Sequence, residues 1–308
     1  MSDMPKSSTT TSDKTSIGIV IAILAFFFLI FTITAGSLLA LVSAEAISEN
    51  AIGVIEVKGV IQAPDQTLKN IRKFSEDESL KAILVRIDSP GGSVSASQEI
   101  VEAIQMIQKP VVISMGDMAA SGGYYVACAG PEIFASPGTL TGSIGVISQV
   151  LEIKDLMDFF KVTMHTVKTG DLKDAGSPYR AFNETDNAYF MAMGLEILDQ
   201  FIEHVANARH MTKEQVTAIA DGRVWTGREA KKLGLIDELG GMNAALEALK
   251  KKAGIVGAYT LVYPAKDRDE FLNALLAEGA DAIFTSLKAS TENVIQKAES
   301  FQYLYRGE

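Results

Sequence analysis

Cysteine, histidine and tryptophan are nearly absent from this sequence of 308 residues, which holds one Cys, three His and one Trp. A single cysteine, Cys128, excludes an internal disulfide framework. One thiol with His165, His204 and His210 is too small a set for a thiolate or imidazole zinc cage, although counting alone leaves an all-carboxylate site open. Basic charge is also short: 28 Lys and Arg face 38 Asp and Glu, for a net charge of −10. That balance argues against a non-specific nucleic-acid binder, because phosphate contacts need clustered Lys and Arg. Disorder is excluded by the 47% of hydrophobic residues, an ordinary globular fraction.

Charge is missing altogether from residues 15–44, TSIGIVIAILAFFFLIFTITAGSLLALVSA. A bilayer core needs about 20 apolar helical residues, and this run exceeds that. The expectation is a polar tail over 1–14 and a transmembrane signal anchor over 15–44. A cleavable signal peptide is the alternative, with small residues at Ser43, Ala44 and Ala46. Its apolar region, however, is ordinarily about 7–15 residues long. Lys6 and Lys14 precede the run, so the positive-inside rule puts the N-terminus in the cytoplasm and the bulk of the chain outside it, a single-pass arrangement. Residues 1–44 carry two bases and two acids, so residues 45–308 keep the net −10 and have no charge-based affinity for anionic lipid.

Beyond the anchor, strand and helix patterns alternate. Residues 51–57 (AIGVIEV), 80–89 (LKAILVRIDS) and 111–115 (VVISM) are near-continuous apolar runs, as expected for buried parallel strands. Between them, 67–74 and 93–108 show helical spacing, the latter through Val94, Ile100, Val101, Ile104 and Ile107. This order predicts an α/β fold, a parallel sheet covered by helices. A long amphipathic helix is expected over 186–210, a helix closed by Gly234 with a short strand and turn over 228–241, and a further helix over 242–253. Residues 290–308 end in FQYLYRGE and read as a flexible tail.

Two segments at strand ends carry chemistry. The first, IDSPGGSVSAS (87–97), joins a strand to a helix where open α/β sheets place their ligands. Gly91 and Gly92 let backbone N–H groups turn outward, and such donors at a helix start hold an anion or a developing oxyanion. The plain alternative is an ordinary strand-to-helix turn. The second, GDMAASGGYYVACAG (116–130), surrounds Ser121 with small residues, as a nucleophile on a tight turn requires. Here the plain alternative is that Ser121 is a helix N-cap.

A serine nucleophile needs a base. No histidine lies between Ser121 and His165; His165 falls in VTMHTV, which reads as a strand, and His204 and His210 fall on the long helix. The other solution is lysine, whose ordinary pKa near 10.4 falls when the amine is buried in apolar surroundings. Lys161, Lys168 and Lys173 are candidates, and residue chemistry alone does not choose among them.

The segments SPGGSV, MAASGGYYVAC, TLTGSIGVI, KTGDLKDAGSPYR and DGRVWTGREAKKLGLIDELGG, in this order, resemble the signal peptide peptidase A family in its short, one-domain form. That resemblance spans about residues 50–265. It implies a Clp/crotonase-like parallel sheet with flanking helices, forming a protease domain over 45–308 behind one N-terminal transmembrane helix. It also implies roles: Ser121 as nucleophile, Lys173 as general base, Ser143 as the residue that hydrogen-bonds and orients the base, and the N–H groups of Gly92 and Gly122 as the oxyanion hole. Lys161 and Lys168 then become ordinary basic residues.

Further implications are a serine endopeptidase without metal or cofactor, acting on signal peptides and other unfolded apolar peptides at the cell membrane. The family resemblance also implies a homo-oligomer, an octamer in the short form, in which two neighbours share a site. An acyl-CoA enzyme of the crotonase type and a catalytically dead scaffold are the rival classes. Cys128 is expected in the core, and Trp225 to pack beside Thr226, an N-cap for the following helix.

Overall fold

The computed structural model describes residues 50–264 together with residues 24 and 26–32 of the apolar run, which are helical. The rest of the expected anchor, the tail over 1–14 and the tail over 290–308 lie outside the described residues. Among the described residues no helix is long and apolar enough to cross a membrane.

The three apolar runs form β1 (Ala51–Lys58), β2 (Leu80–Ser89) and β3 (Val111–Ala120). β1 pairs parallel with β2, and β2 with β3. The crossovers are α1 (Asp65–Glu76) and α2 (Val94–Gln105), the latter N-capped by Ser93, whose hydroxyl accepts from the Ala96 N–H. After β3 come α3 (Gly122–Ala127), β4 (Ile133–Ala135) and β5 (Leu140–Gly142), then α4 (Lys154–Phe159) and the long α5 (Glu184–Arg209). The chain continues through α6 (Lys213–Thr217), β6 (Val224–Thr226), α7 (Gly227–Lys232), β7 (Glu238–Leu239), α8 (Met242–Lys252) and β8 (Thr260–Val262). The sheet runs β6-β5-β3-β2-β1-β8, and of these pairs only β5–β6 is antiparallel.

The period-2 pleat divides the apolar runs between two faces. Ile55, Val57, Ile83, Val85 and Ile87 point into a cluster with Ile100, Ile104, Tyr124, Phe201 and Val205, under α2, α3 and α5. Ile52, Val54, Ala82 and Leu84 point the other way, against Leu246 and Leu249 of α8. Burial on both faces is what makes these strands read as unbroken hydrophobic runs.

Two expectations are corrected. The third strand does not stop at Met115 but continues to Ala120, because β3 forks. Its first half pairs with β4 at Ile113 and Ser114, and its second half pairs with β5 from Met118 to Ala120. The register against β2 shifts at the fork, where Asp88 accepts from the Met118 N–H at 3.1 Å. The segment around His165 is not a strand: residues 162–169 are exposed and have no ladder partner among the described residues, so an alternating pattern alone does not make one. The remaining helices fall within a few residues of their expected positions, and Thr226 caps α7 by accepting from the Glu229 N–H.

Candidate active site

Ser121 sits at the junction of β3 and α3 with φ 52° and ψ −124°, a conformation that a residue with a Cβ rarely adopts. The turn is held from both sides. The Ser121 N–H donates to the Gly142 carbonyl at 2.8 Å, and the Ser121 carbonyl accepts from the Tyr125 N–H at 2.9 Å. Ser121 does occupy the N-cap position of α3, but its side chain makes no capping bond. The hydroxyl is left free at the mouth of a small pocket lined by Gly92, Val94, Tyr125, Val146, Ile197 and Phe201.

The two predicted oxyanion donors converge here. Ile61 pairs with the loop between β2 and α2 by donating to the Gly91 carbonyl at 2.9 Å and accepting from the Ser93 N–H at 2.6 Å. Alternation along the backbone then turns the Gly92 N–H to the opposite side, toward Ser121. The Gly122 N–H belongs to the first residue of α3, where no intrahelical acceptor exists. The approach leaves no space for side chains: a Cβ on Gly122 would lie 2.6 Å from Ser97 Oγ and 3.2 Å from the Gly92 nitrogen.

Ser89 fixes this geometry. Its buried hydroxyl donates to the Gly59 carbonyl at 2.6 Å and accepts from the Gly91 N–H at 3.0 Å. Ser97, also buried, donates to the Ser93 carbonyl at 2.8 Å. Neither serine was singled out from the sequence as a site residue, although both lie within the 87–97 segment.

Ser143 follows β5, whose Gly142 is the register partner of Ala120. It too has positive φ, 50°. Its N–H donates to the Arg223 carbonyl at 2.9 Å and its hydroxyl to the Gly222 carbonyl at 3.3 Å. Trp225 packs behind this turn, under the Arg223 guanidinium at 5.3 Å, with its indole N–H buried and without a partner among the described residues.

The structure thus brings together Ser121, Gly92, Gly122 and, by strand register, Ser143. Lys173 is not among the residues lining the Ser121 pocket. It is exposed on the long segment between β5 and α5, and its ammonium makes no hydrogen bond or ion pair among the described residues. No residue between Ile144 and Asp186 is buried. Lys161, also exposed, lies in that segment with φ 57°. Lys168 donates to the Asp174 carboxylate at 2.8 Å and the Asp171 carbonyl at 2.9 Å.

The histidines are accounted for elsewhere. His204 stacks on Tyr125 at 4.1 Å with Nε2 2.9 Å from the Tyr125 carbonyl, and burial lowers its pKa, favouring the neutral ring. His210 ends α5 in the left-handed conformation, and His165 is exposed. Cys128 is in the core, where burial pushes its thiol up to about 12. Among the described residues no group of His, Cys, Asp and Glu is arranged to hold a metal ion.

The sequence pattern of peptidase family S49 matches residues 103–256, half of the chain, and that of Clp protease matches residues 62–141. The chain belongs to peptidase family S49. Among relatives in this serine peptidase family, one from Enterococcus faecium, named for signal peptide peptidase SppA, is 35% identical over 73% of this chain and 66% of its own length. A protein of Synechocystis named as a protease is 38% identical over 66% of this chain and 75% of its own. The chloroplastic serine protease SPPA of Arabidopsis thaliana is 35% identical over 66% of this chain but 31% of its own, so this chain spans under a third of that relative. The S49 match begins within α2 and takes in Ser121, Ser143 and Lys173, while the Clp protease match takes in Gly92 and Gly122.

Proposed function

We propose that this chain is a membrane-anchored serine endopeptidase working through a Ser121–Lys173 dyad. The observation that carries the reading is the strained turn at Ser121. Its hydroxyl is free of any capping bond and stands beside two N–H groups with no acceptor of their own. In this mechanism the neutral Lys173 amine takes the proton from Ser121 Oγ as the oxygen attacks a peptide carbonyl. The Gly92 and Gly122 N–H groups stabilise the tetrahedral oxyanion. Removing one such donor costs about 2.7–4 kcal/mol of barrier in other proteases. The lysine ammonium then gives its proton to the leaving amine, and a water deacylates Ser121 by the same route. Ser143 orients the lysine: with its proton on the Gly222 carbonyl, its oxygen lone pairs are left to accept from the amine.

Lys173 reaches Ser121 from a neighbouring copy in a homo-oligomeric ring, octameric by family resemblance. The exposure of the whole Lys173 segment supports this reading. Phe159 and Phe160 are 79% and 66% exposed there, and Ile147 84%, which is apolar surface of the kind that an interface covers. The site then also acquires the desolvation that a lysine base needs. The thirty uncharged residues over 15–44 tether the ring to the cell membrane, with the N-terminus in the cytoplasm and the sheet outside it. Apolar walls at Val94, Val146, Ile197 and Phe201 suit apolar, unfolded peptides, and signal peptides left in the bilayer are such substrates. No cofactor takes part.

The test is hydrolysis of a fluorogenic apolar peptide by the full chain in detergent, beside Ser121→Ala and Lys173→Ala, over a range of pH. Loss of activity in both variants with retained fold is expected. A Lys173→Ala enzyme as active as wild type would remove the dyad and return the question to Lys168 or His165.

A further inference from the structure

The segment that carries Lys173 has no apolar core, yet it is organised. Its organiser is Arg180. The guanidinium donates from Nε to the Asp174 carboxylate at 3.1 Å, from Nη2 to the Asp174 carbonyl at 2.9 Å and from Nη2 to the Asp186 carboxylate at 2.7 Å. Nη1 completes a bidentate pair with Asp186 and also donates to the Ala181 carbonyl at 3.0 Å. Asp174 is the residue after Lys173. Asp186 is 1% exposed and lies in the first turn of α5, where it closes a capping box with Asn183. The same helix, three turns on, lines the Ser121 pocket with Ile197, Gln200 and Phe201. A continuous path of charge-assisted hydrogen bonds therefore joins the backbone at Lys173 to the helix that walls the nucleophile.

The network also pairs the charges of the segment that carries the lysine. Within the segment and at the start of α5 stand Glu152, Lys154, Asp155, Asp158, Lys161, His165, Lys168, Asp171, Asp174, Arg180, Glu184 and Asp186, with Glu152 accepting from the Phe182 N–H at 3.0 Å. Lys168 and Arg180 occupy the oxygens of Asp174, and Arg180 occupies those of Asp186. The carboxylate of Asp174, the residue after Lys173, is thereby paired with two cations.

We propose that Arg180 is a positioning residue for Lys173: its fork fixes the backbone at Asp174 and cancels the carboxylate charge next to the base. The inference rests on the Ser–Lys reading and adds to it a residue to which the family resemblance gives no role. Lysine in place of Arg180 keeps the charge but cannot engage both carboxylates at once.

The experiment is the pH dependence of kcat/KM for the full chain in detergent, with Arg180→Gln, Arg180→Lys, Asp174→Asn and Lys173→Ala measured together. Arg180→Gln leaves Asp186 without its cation and Asp174 with Lys168 alone, so kcat falls by about tenfold or more and the acidic limb moves to higher pH. Asp174→Asn removes the charge beside the lysine and moves the limb to lower pH. Arg180→Lys restores the position of the limb but only part of kcat. Opposite displacements in Arg180→Gln and Asp174→Asn are not produced by loosened packing alone. The proposal is overturned if the limb stays in place in both, or moves the same way in both, while Lys173→Ala is inactive. If Arg180→Gln does not assemble, Asp174→Asn decides: a limb displaced to lower pH there, with the Arg180→Lys limb in place, is expected, and an unmoved Asp174→Asn limb overturns the proposal. An active Lys173→Ala enzyme defeats the dyad itself, and this proposal with it.

Discussion

In β1, Ala51, Ile52, Val54 and Ile55 are fully buried, whereas between Ile144 and Asp186 no residue is buried and Val167 is 99% exposed. Both stretches are rich in apolar side chains. The first satisfies them within one chain, between two layers of helices, in the sheet whose strands β2 and β3 place the nucleophile and its two N–H donors. The second has a few ion pairs and one short helix, and it places the lysine. The difference teaches that the proposed site is split between a part that folds on its own core and a part whose apolar side chains this chain leaves exposed. A rigid body suits a strained serine turn, because the strain at Ser121 has to be over-determined by its surroundings. An uncovered arm suits a residue that acts on a neighbour.

The contrast is broken most severely at the nucleophile. Ser121→Ala is expected to lower kcat/KM for a fluorogenic peptide by more than about 10³-fold with the melting temperature unchanged, because the residual rate would come from binding alone. Next in size is the body against the arm. Ile83→Ala, at a fully buried position, is expected to cost about 2–5 kcal/mol of stability in denaturant titration. Phe159→Ser with Val167→Ser is expected to leave the denaturation midpoint of the sheet unchanged and to lower the particle mass by light scattering.

Acid sharpens the same comparison. Arg180 and Lys168 beside Asp174 hold its carboxyl down at about 2, and Arg180 holds Asp186 below the usual carboxylate range. A depressed folded pKa gives stability that is complete above the unfolded value of about 3.9 and is lost as pH falls through the folded one. Arm amides should therefore lose protection from hydrogen exchange between about pH 4 and pH 2, with the β1–β3 amides still protected. The smallest effect concerns Cys128: buried and held near 12, its thiol should resist alkylation at pH 8 until the sheet unfolds.

Much of the body was legible from residue patterns. Apolar runs at 51–57 and 80–89 and helical stripes at 93–108 and 186–210 match β1, β2, α2 and α5, because burial on defined faces writes period and length into the chain. The fork of β3 was not legible. MGDMAA lacks the aliphatic run of a buried strand, and only its pairing with β5 makes it one. The VTMHTV segment shows the converse, an alternating pattern with no partner among the described residues to pair it. Ser121, Gly92 and Gly122 could be placed near strand ends from small-residue spacing, but neither the free hydroxyl nor the turned N–H groups follow from composition. Ser89 and Ser97 were hidden because a buried hydroxyl that serves backbone groups looks like any turn serine. The choice of Lys173 over Lys161 and Lys168 came from family resemblance, and the single chain leaves all three outside the Ser121 pocket.

The central claim is that serine and lysine come from different copies, and subunit complementation tests it most directly. Ser121→Ala and Lys173→Ala chains, each inactive alone, are co-expressed and the mixed assemblies assayed with the fluorogenic peptide. A head-to-tail ring with random mixing predicts about a quarter of the wild-type rate, since one site in four would receive an intact serine and an intact lysine. Mixed assemblies of wild-type size with no activity would contradict the account and place both groups within one chain.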